Sequence, residues 1–575
     1  MWSASAPLPG VNAGSAVGIK YGIVQPPVEK IGIALETSPM SQTERTVRHL
    51  VVILGDHLDP DSLALEGFDP DQDLCWMAEV PEESTIVWSH KARIVLFLSA
   101  MRHHAAALRQ RRFPLEYLTF GTHPYQSMSQ ALEAALLRWQ PRQIISLRPG
   151  TWQLRETIRH CAESRQIPWQ ERRNLNFLFS VPEFGQWAEN RRQMRLEFWY
   201  RHARQKTGIL MQKDQPVGGR WNFDLENRQR PGSQGPGWIP EPLSFTPDAI
   251  TQEVMALVET QFAGHPGNLQ HFDWPVTSQQ AQTALQDFLD DRLAQFGPLQ
   301  DAFWPGQVWL YHSRLSAALN LGLIRAITVI RAVEENFRAG KVSIASAEGF
   351  IRQILGWREY IHGLYWLHMP QWLQQNILQA HQPLPEFYWT AKTDLSCLQD
   401  TIARTLEHGY AHHIERLMIT GLFALLLGVE PQAIHRWFLA IYVDAVEWVE
   451  LPNVIGMSQY ADGGWMASKP YVASGNYLQK MGGHCQRCPY EPKLASGAKA
   501  CPFTVLYWDF LQTHQERFRQ HPRTALQWKH LERMSGEHLA AIRAQAQVIR
   551  KNLEDGHAFE VNKMHPEPEI SRNLE

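Results

Sequence analysis

The chain has few cysteines, little net charge and no long apolar run, and each shortage excludes something. Only six cysteines occur, and two of them, Cys75 and Cys161, have no partner-like spacing. The N-terminus lacks a basic segment followed by an apolar core, so a reducing, cytoplasmic setting is expected. No uninterrupted apolar stretch reaches the roughly 18 residues that span a bilayer, which argues against a membrane partner. A formal net charge of −3 gives no global attraction to nucleic acid, so such binding requires a local basic face. Arg191, Arg192, Arg195, Arg201, Arg204 and Lys206 are one candidate, interrupted by Glu197, Phe198, Trp199 and Tyr200. A solvated basic helix is the plainer reading of that run.

Tryptophan, by contrast, is abundant. Its 22 copies supply large buried surfaces, and also flat rings on which ligands stack and through which electrons step. The composition is otherwise that of an ordinary globular chain long enough for several domains. Residues 1–45 are rich in Gly, Pro, Ala and Ser without periodicity, and are expected to be a disordered extension. Over 46–180 short apolar runs alternate with helical patterns: His49 to Leu54 and Gln143 to Leu147 read as buried strands, and Ser129 to Trp139 as a helix. That alternation predicts an α/β domain with a parallel sheet, whose ligands sit beyond the carboxyl ends of the strands. Asp56, directly after the first strand, is a ligand candidate, with helix capping as its alternative. Residues 181–245 read as a long connection, and 246–575 as a large all-α domain.

Four cysteines carry the most specific chemistry. Cys485, Cys488 and Cys501 read C-x2-C-x12-C, with Cys397 upstream and proline directly after Cys488 and Cys501. This spacing suits an iron–sulfur cluster, a four-thiolate zinc site or a set of buried free thiols better than a disulfide. In Ser313-Arg314-Leu315-Ser316, hydroxyls flank an arginine ahead of an apolar helix, where amides and a guanidinium can hold a diphosphate. Phe350 to Trp366 reads as one packed helix with the charged pair Arg358-Glu359 at its centre. Leu406, Tyr410 and Leu417 form the apolar face of another helix, which places His413 towards a core or cleft, beside His412. Asp444, Glu447, Glu450 and Asn453 lie in an apolar segment, where carboxylates must be paired or rise in pKa; Arg416 is the partner expected for Asp444.

Together these pieces resemble the photolyase/cryptochrome superfamily, and residues 47 to about 555 its iron–sulfur bacterial branch, the prokaryotic (6-4) photolyases. The resemblance is carried by Leu54-Gly55-Asp56-His57-Leu58, Gly218-Gly219-Arg220-Trp221-Asn222-Phe223-Asp224, Ser313-Arg314-Leu315-Ser316, Gly356-Trp357-Arg358-Glu359, Ala411-His412-His413, Glu447 to Asn453 and the four cysteines in order. It implies a U-shaped FAD in the helical domain, held by Ser313, Arg314, Leu315, Ser316, Arg416, Asp444, Glu450 and Asn453, with Glu450 opposite flavin N5. It implies a 4Fe-4S cluster on Cys397, Cys485, Cys488 and Cys501, acting as a structural staple. It also implies a 6,7-dimethyl-8-ribityllumazine antenna contacted by Asp56 and Glu83, and an electron relay of Trp437 and Trp389. Phe438 departs from the branch's pattern, which has tyrosine there, and phenylalanine cannot lose a proton on oxidation. The implied activity is light-driven repair of (6-4) photoproducts in UV-damaged DNA by a monomer. His413 would donate the proton, with His412 as its neighbour, Tyr471 lining the pocket, and a divalent cation as a possible helper. The rival readings are a blue-light photoreceptor, and a DNA-binding iron–sulfur module similar to the primase large subunit.

Overall fold

β1 (His49–Val52), β2 (Leu74–Ala78), β3 (Leu115–Leu118), β4 (Gln143–Leu147) and β5 (Trp169–Arg172) form a parallel sheet in the order β3-β2-β1-β4-β5. This is a computed structural model that describes residues 46–554 other than 192, 233 and 522–524. The expected extension over 1–45 therefore lies outside the described residues. In register, Leu50 sits between Leu74 and Ile144. Alternation then sends Leu50, Val52 and Leu54 to the face covered by helix Met128–Trp139, while Val51 and Ile53 face helix Lys91–Gln110 and the helical half. Both faces are buried, which is why these strands read as nearly continuous apolar runs.

β1 and β4 are neighbours in the sheet but not in sequence, so their carboxyl ends flank the point where the strand order reverses. Asp56 follows β1, and Arg148-Pro149-Gly150 follows β4. A cavity here is lined by Asp56, Gly150, Asn176, Phe177, Arg358 and Trp448, among others, so the sheet and the helices share it. A Cβ on Gly150 would collide with the Asp56 carboxylate and lie 3.0 Å from Val446 Cγ1. Gly150→Ala is accordingly expected to destabilise the fold by about 1–3 kcal/mol, read as a lower urea midpoint at unchanged slope; an unchanged midpoint would contradict this packing.

The span read as a long connection carries two helices. Helices Val181–Ala188 and Leu196–Thr207 bury Phe184, Trp187, Trp199 and Tyr200 against Tyr360, and irregular chain dominates only after Pro216. The basic run is split: Arg191, Arg195 and Lys206 are exposed, whereas Arg204 and Arg201 are engaged within the fold. Arg204 is fully buried and donates to the carbonyls of Leu210 and Trp221. Arg201 is paired with Glu197, and Arg191 lies over the Trp187 ring. Arg192 is outside the described residues.

From Ala249 onward the named elements are helical among the described residues. Three of them contain a π-helical turn, at Arg352–Arg358, Arg416–Gly421 and Pro452–Ser458. Such turns shift the residues that follow by a fraction of a turn and are frequent at functional sites. Helix Ile344–Ile351 runs through the first of these into helix Glu359–His368, with Arg358 and Glu359 buried at the joint. Arg358 Nη1 donates to the Asn176 carbonyl at 2.7 Å, and the Glu359 carboxylate accepts from the Phe179 amide at 3.1 Å. The charged pair therefore ties the helical half to the chain leaving the sheet. No helix of the described residues is long and apolar enough to cross a membrane.

Candidate active site and cysteine centre

Arg416 is the hub of the site. It lies at the start of a π-helical turn, and its Nη1 and Nη2 meet Asp444 Oδ1 and Oδ2 at 2.9 and 3.1 Å. Its Nε donates to the Ala411 carbonyl, and its guanidinium stacks over Tyr442 at 3.7 Å. Despite burial, Asp444, Tyr442 and Glu450 hold that guanidinium above its ordinary range. Asp444 also accepts from Ser316 Oγ at 2.6 Å, and its carbonyl accepts from Asn320 at 2.8 Å. Ser316 and Asp444, far apart in sequence, thus meet as one polar floor.

Glu450 lies 3.6 Å from Arg416 Nη1, and no hydrogen bond among the described residues satisfies its carboxylate. Burial, with Asp444 adding to it against Arg416, pushes its carboxyl up to about 7. A buried carboxyl poised near neutrality and short of partners fits a polar heterocycle edge. The folded pKa is raised, so the folded state holds the extra proton between about 4.5 and 7. In the flavin-free protein that contribution is complete below the lower value and is lost as pH rises through the upper one. Glu450→Gln is expected to flatten this part of the pH profile, by on the order of 3 kcal/mol at most, measured as urea midpoints between pH 5 and 8.

Among the described residues the Asn453 side chain bonds within its own helix, donating to Val449 O. Ser313 Oγ accepts from the Leu315 amide, and Leu315 is buried in the core. Arg314, with φ +57°, lies between Trp274 and Trp309 and meets Asp273 at 2.5 Å, so a phosphate here would compete with a carboxylate.

The sequence did not single out Arg93. It reaches from helix Lys91–Gln110 to donate to the Ala445 carbonyl at 3.2 Å, and burial lowers it to about 10 against Glu83, Glu450 and Asp444. Glu83 keeps accessible surface, yet burial and then Glu82 push its carboxyl up to about 7. Asp56 lines the neighbouring cavity, 3.5 Å from His57 Nε2. Glu447 is a strut: it accepts from Tyr365 OH, which in turn accepts from the Trp152 amide at 2.7 Å.

The histidines are placed differently from the helical reading. Helix Ser396–His408 ends at Gly409, φ +62°, where a Cβ would stand 2.7 Å from Val443. Residues 410–412 are not helical, and a new helix starts at His413. Leu406, Tyr410 and Leu417 therefore do not share one helix face. His412 is the buried ring, and the His413 side chain is half exposed, 3.3 Å from Asp301 Oδ1. His412 stacks on His312, also buried, at 4.6 Å and 9°. Burial lowers both well below the usual histidine range, so both are neutral. The nitrogens of His312, His412 and His413 lie within 4.8 Å of one another. The rings of His312 and His412 are nearly parallel, so their in-plane lone pairs do not converge on one ion. His312 was not predicted, and its only local signal is its position directly before Ser313. Tyr471 packs half-buried against the cluster that holds Ala411 and Ile414.

Trp437 is fully buried 5.9 Å from Tyr442, the ring beneath Arg416, and donates to the Tyr388 carbonyl, and Trp389 lies 6.5 Å from it. Phe438 packs on both Trp437 and Tyr442.

The four cysteines converge from three elements: helix Ser396–His408, the turn His484–Gln486 with the loop after it, and the N-cap of helix Pro502–Thr513. All are free thiols. Burial, then Cys501, Cys488 and Cys485, push Cys397 well above its usual range; Cys501 is pushed up to about 12 and Cys485 to about 11. Thiols that raise one another in this way are close neighbours, and a bound cationic centre would relieve the repulsion between thiolates.

The profile of the deoxyribodipyrimidine photo-lyase-related protein family matches residues 51–274. A (6-4) photolyase of Agrobacterium fabrum (strain C58 / ATCC 33970) is 44% identical over 508 residues, covering 88% of this chain and 99% of the relative. Among solved structures, a bacterial class III photolyase from Agrobacterium tumefaciens superposes with TM-score 0.50 at 14% identity, over 90% of this chain and 100% of the other. The cryptochrome of Synechocystis sp. PCC6803 does so with TM-score 0.54 at 14% identity, over 89% and 100%. These two show the same arrangement of a parallel sheet and a helical body. With the site's geometry and that relative spanning nearly its full length, the chain belongs to the photolyase/cryptochrome family, beside the bacterial (6-4) photolyases.

Proposed function

We propose that the protein is a light-dependent DNA repair enzyme that reverses (6-4) pyrimidine–pyrimidone photoproducts. The observation that carries this reading is the Arg416–Asp444–Glu450 hub, in which Arg416 stacks on Tyr442, next to Trp437, and its amide donates to the carbonyl of His412 in the His312–His412–His413 group. FAD, when bound, supplies the light-driven electron. Asp444 fixes Arg416, and Ser316 and Asn320 fix Asp444, so the floor does not reorganise when charge moves above it. Glu450 holds or releases a proton near neutral pH.

The lesion is the substrate, and it must leave the stack to reach such a floor. His412 is neutral and enclosed, so it orients. His413 meets both water and a carboxylate, so it is the ring that exchanges a proton with solvent and delivers it to the transferred group. Asp56 lines the cavity where the sheet meets the helices, and Asp56 and Glu83 are assigned the lumazine antenna. The four cysteines, in the order that the resemblance to the iron–sulfur branch rests on, are assigned a 4Fe-4S cluster in preference to zinc. The working form is a cytoplasmic monomer.

The decisive assay gives the reduced protein a (6-4) oligonucleotide and a cyclobutane-dimer oligonucleotide under blue light. Restoration of the (6-4) substrate is expected. Flavin photochemistry with no repair of either lesion would transfer the assignment to a photoreceptor.

A further inference from the structure

Trp88 is an exposed aromatic on the sheet-side half of the molecule, in the segment between β2 and helix Lys91–Gln110. At 48% exposure it would be unremarked as a lone surface tryptophan. It is not alone. Its ring lies 5.0 Å from Trp389, tilted 46°, and Trp389 is 6.5 Å from the fully buried Trp437, itself 5.9 Å from Tyr442 beneath Arg416. Exposure rises along this row, from buried Trp437 through half-buried Trp389 to exposed Trp88.

The contact is held in place. The indole N–H of Trp88 donates to the Gly264 carbonyl at 3.1 Å. Two residues on, the His90 amide donates to Ala440 O at 2.8 Å and its ring meets Leu406 O at 2.8 Å. His265 Nδ1 meets Ser89 O at 2.8 Å. The segment is thus latched to the helical body at Gly264, His265, Leu406 and Ala440.

We infer that Trp88 is the terminal, solvent-facing member of a relay Trp437–Trp389–Trp88 that refills the flavin site with electrons and takes them from a soluble thiol. This rests on the reading of Trp437 and Trp389 as the relay. One electron leaves Trp437 inward, Trp389 refills Trp437, and Trp88 refills Trp389. The positive charge moves outward because a cation in a low-dielectric interior costs far more than one in contact with water. The indole cation at Trp88 then releases its N–H proton to water as the exposed hydrogen bond to Gly264 opens, and is restored by one electron and one proton from a thiol. Two such cycles convert two thiols to one disulfide and carry two electrons inward. Phe438, which cannot release a proton, leaves this outward path as the one that ends in a proton-losing ring at the surface.

The test is photoreduction of the FAD-loaded protein in blue light with dithiothreitol, comparing the parent with Trp88→Phe and Trp437→Phe at equal flavin content. Trp88→Phe is expected to lower the photoreduction yield about tenfold, equivalent to about 1.4 kcal/mol of lost charge trapping, and to remove the long-lived deprotonated tryptophanyl signal in transient absorption. Parent-like yield and signal in Trp88→Phe, with Trp437→Phe impaired, overturn the role of Trp88 alone. Undiminished photoreduction in Trp437→Phe overturns the relay and Trp88 with it. If Trp88→Phe does not fold, the parent illuminated in air without thiol decides. Oxygen adducts on the Trp88 peptide support the proposal, and adducts on Trp389 without any on Trp88 refute it.

Discussion

Replacing His413 with alanine is expected to cut (6-4) turnover by at least about 100-fold, the usual contribution of a positioned proton donor, while flavin content and visible absorbance stay at the parent's level. Of the three clustered histidines, His312 and His412 are buried and held neutral, with ring nitrogens that no group among the described residues hydrogen-bonds. His413 alone combines an accessible ring with a carboxylate neighbour, Asp301. No packed core depends on the half-exposed His413 side chain, so its removal should leave the fold intact and the loss can be read as chemistry. A variant that keeps parent-like repair would transfer the proton-donor role elsewhere and undo the assignment. His412→Ala is a different case. It opens a cavity under a stacked ring and is expected to lower stability as well as rate, and a stability assay separates the two effects.

Cys488→Ser is expected to abolish soluble folded protein. The cysteines join three elements distant in sequence: the helix carrying Cys397, the loop carrying Cys485 and Cys488, and the helix capped by Cys501. Gly475 packs so closely on this corner that a Cβ would stand 2.8 Å from the Cys501 sulfur, so the surrounding chain is built around it. Serine is a poor ligand for a soft metal centre. If the proposed centre is lost with its ligand, the link between the three elements is lost too, against a total stability of only about 5–15 kcal/mol. Soluble yield, iron content and the broad visible absorbance measure this. A soluble, FAD-bound variant that fails only in repair would show that the centre takes part in the reaction and is not a staple.

Much of this molecule was legible in its residues because the signals were local or additive. Strand runs such as His49 to Leu54 report burial on both faces of a parallel sheet wherever they occur. The Cys485–Cys488–Cys501 spacing limits ligand chemistry without a fold. Arg416 and Asp444 could be matched because a carboxylate in an apolar segment requires a partner. What the residues could not show was which distant surfaces meet. Gly409, in a left-handed conformation beside Val443, breaks a helix that periodicity would continue, and so decides that His412 is enclosed and His413 meets water. Arg204 looks like a surface cation until the carbonyls of Leu210 and Trp221 are seen to receive it. Arg93, His312 and Trp88 gain their roles only from partners on other elements: Ala445, His412 and Trp389. Periodicity encodes which side of an element is apolar, whereas the identity of the opposing side depends on how the whole chain packs, and the site lies at such meetings.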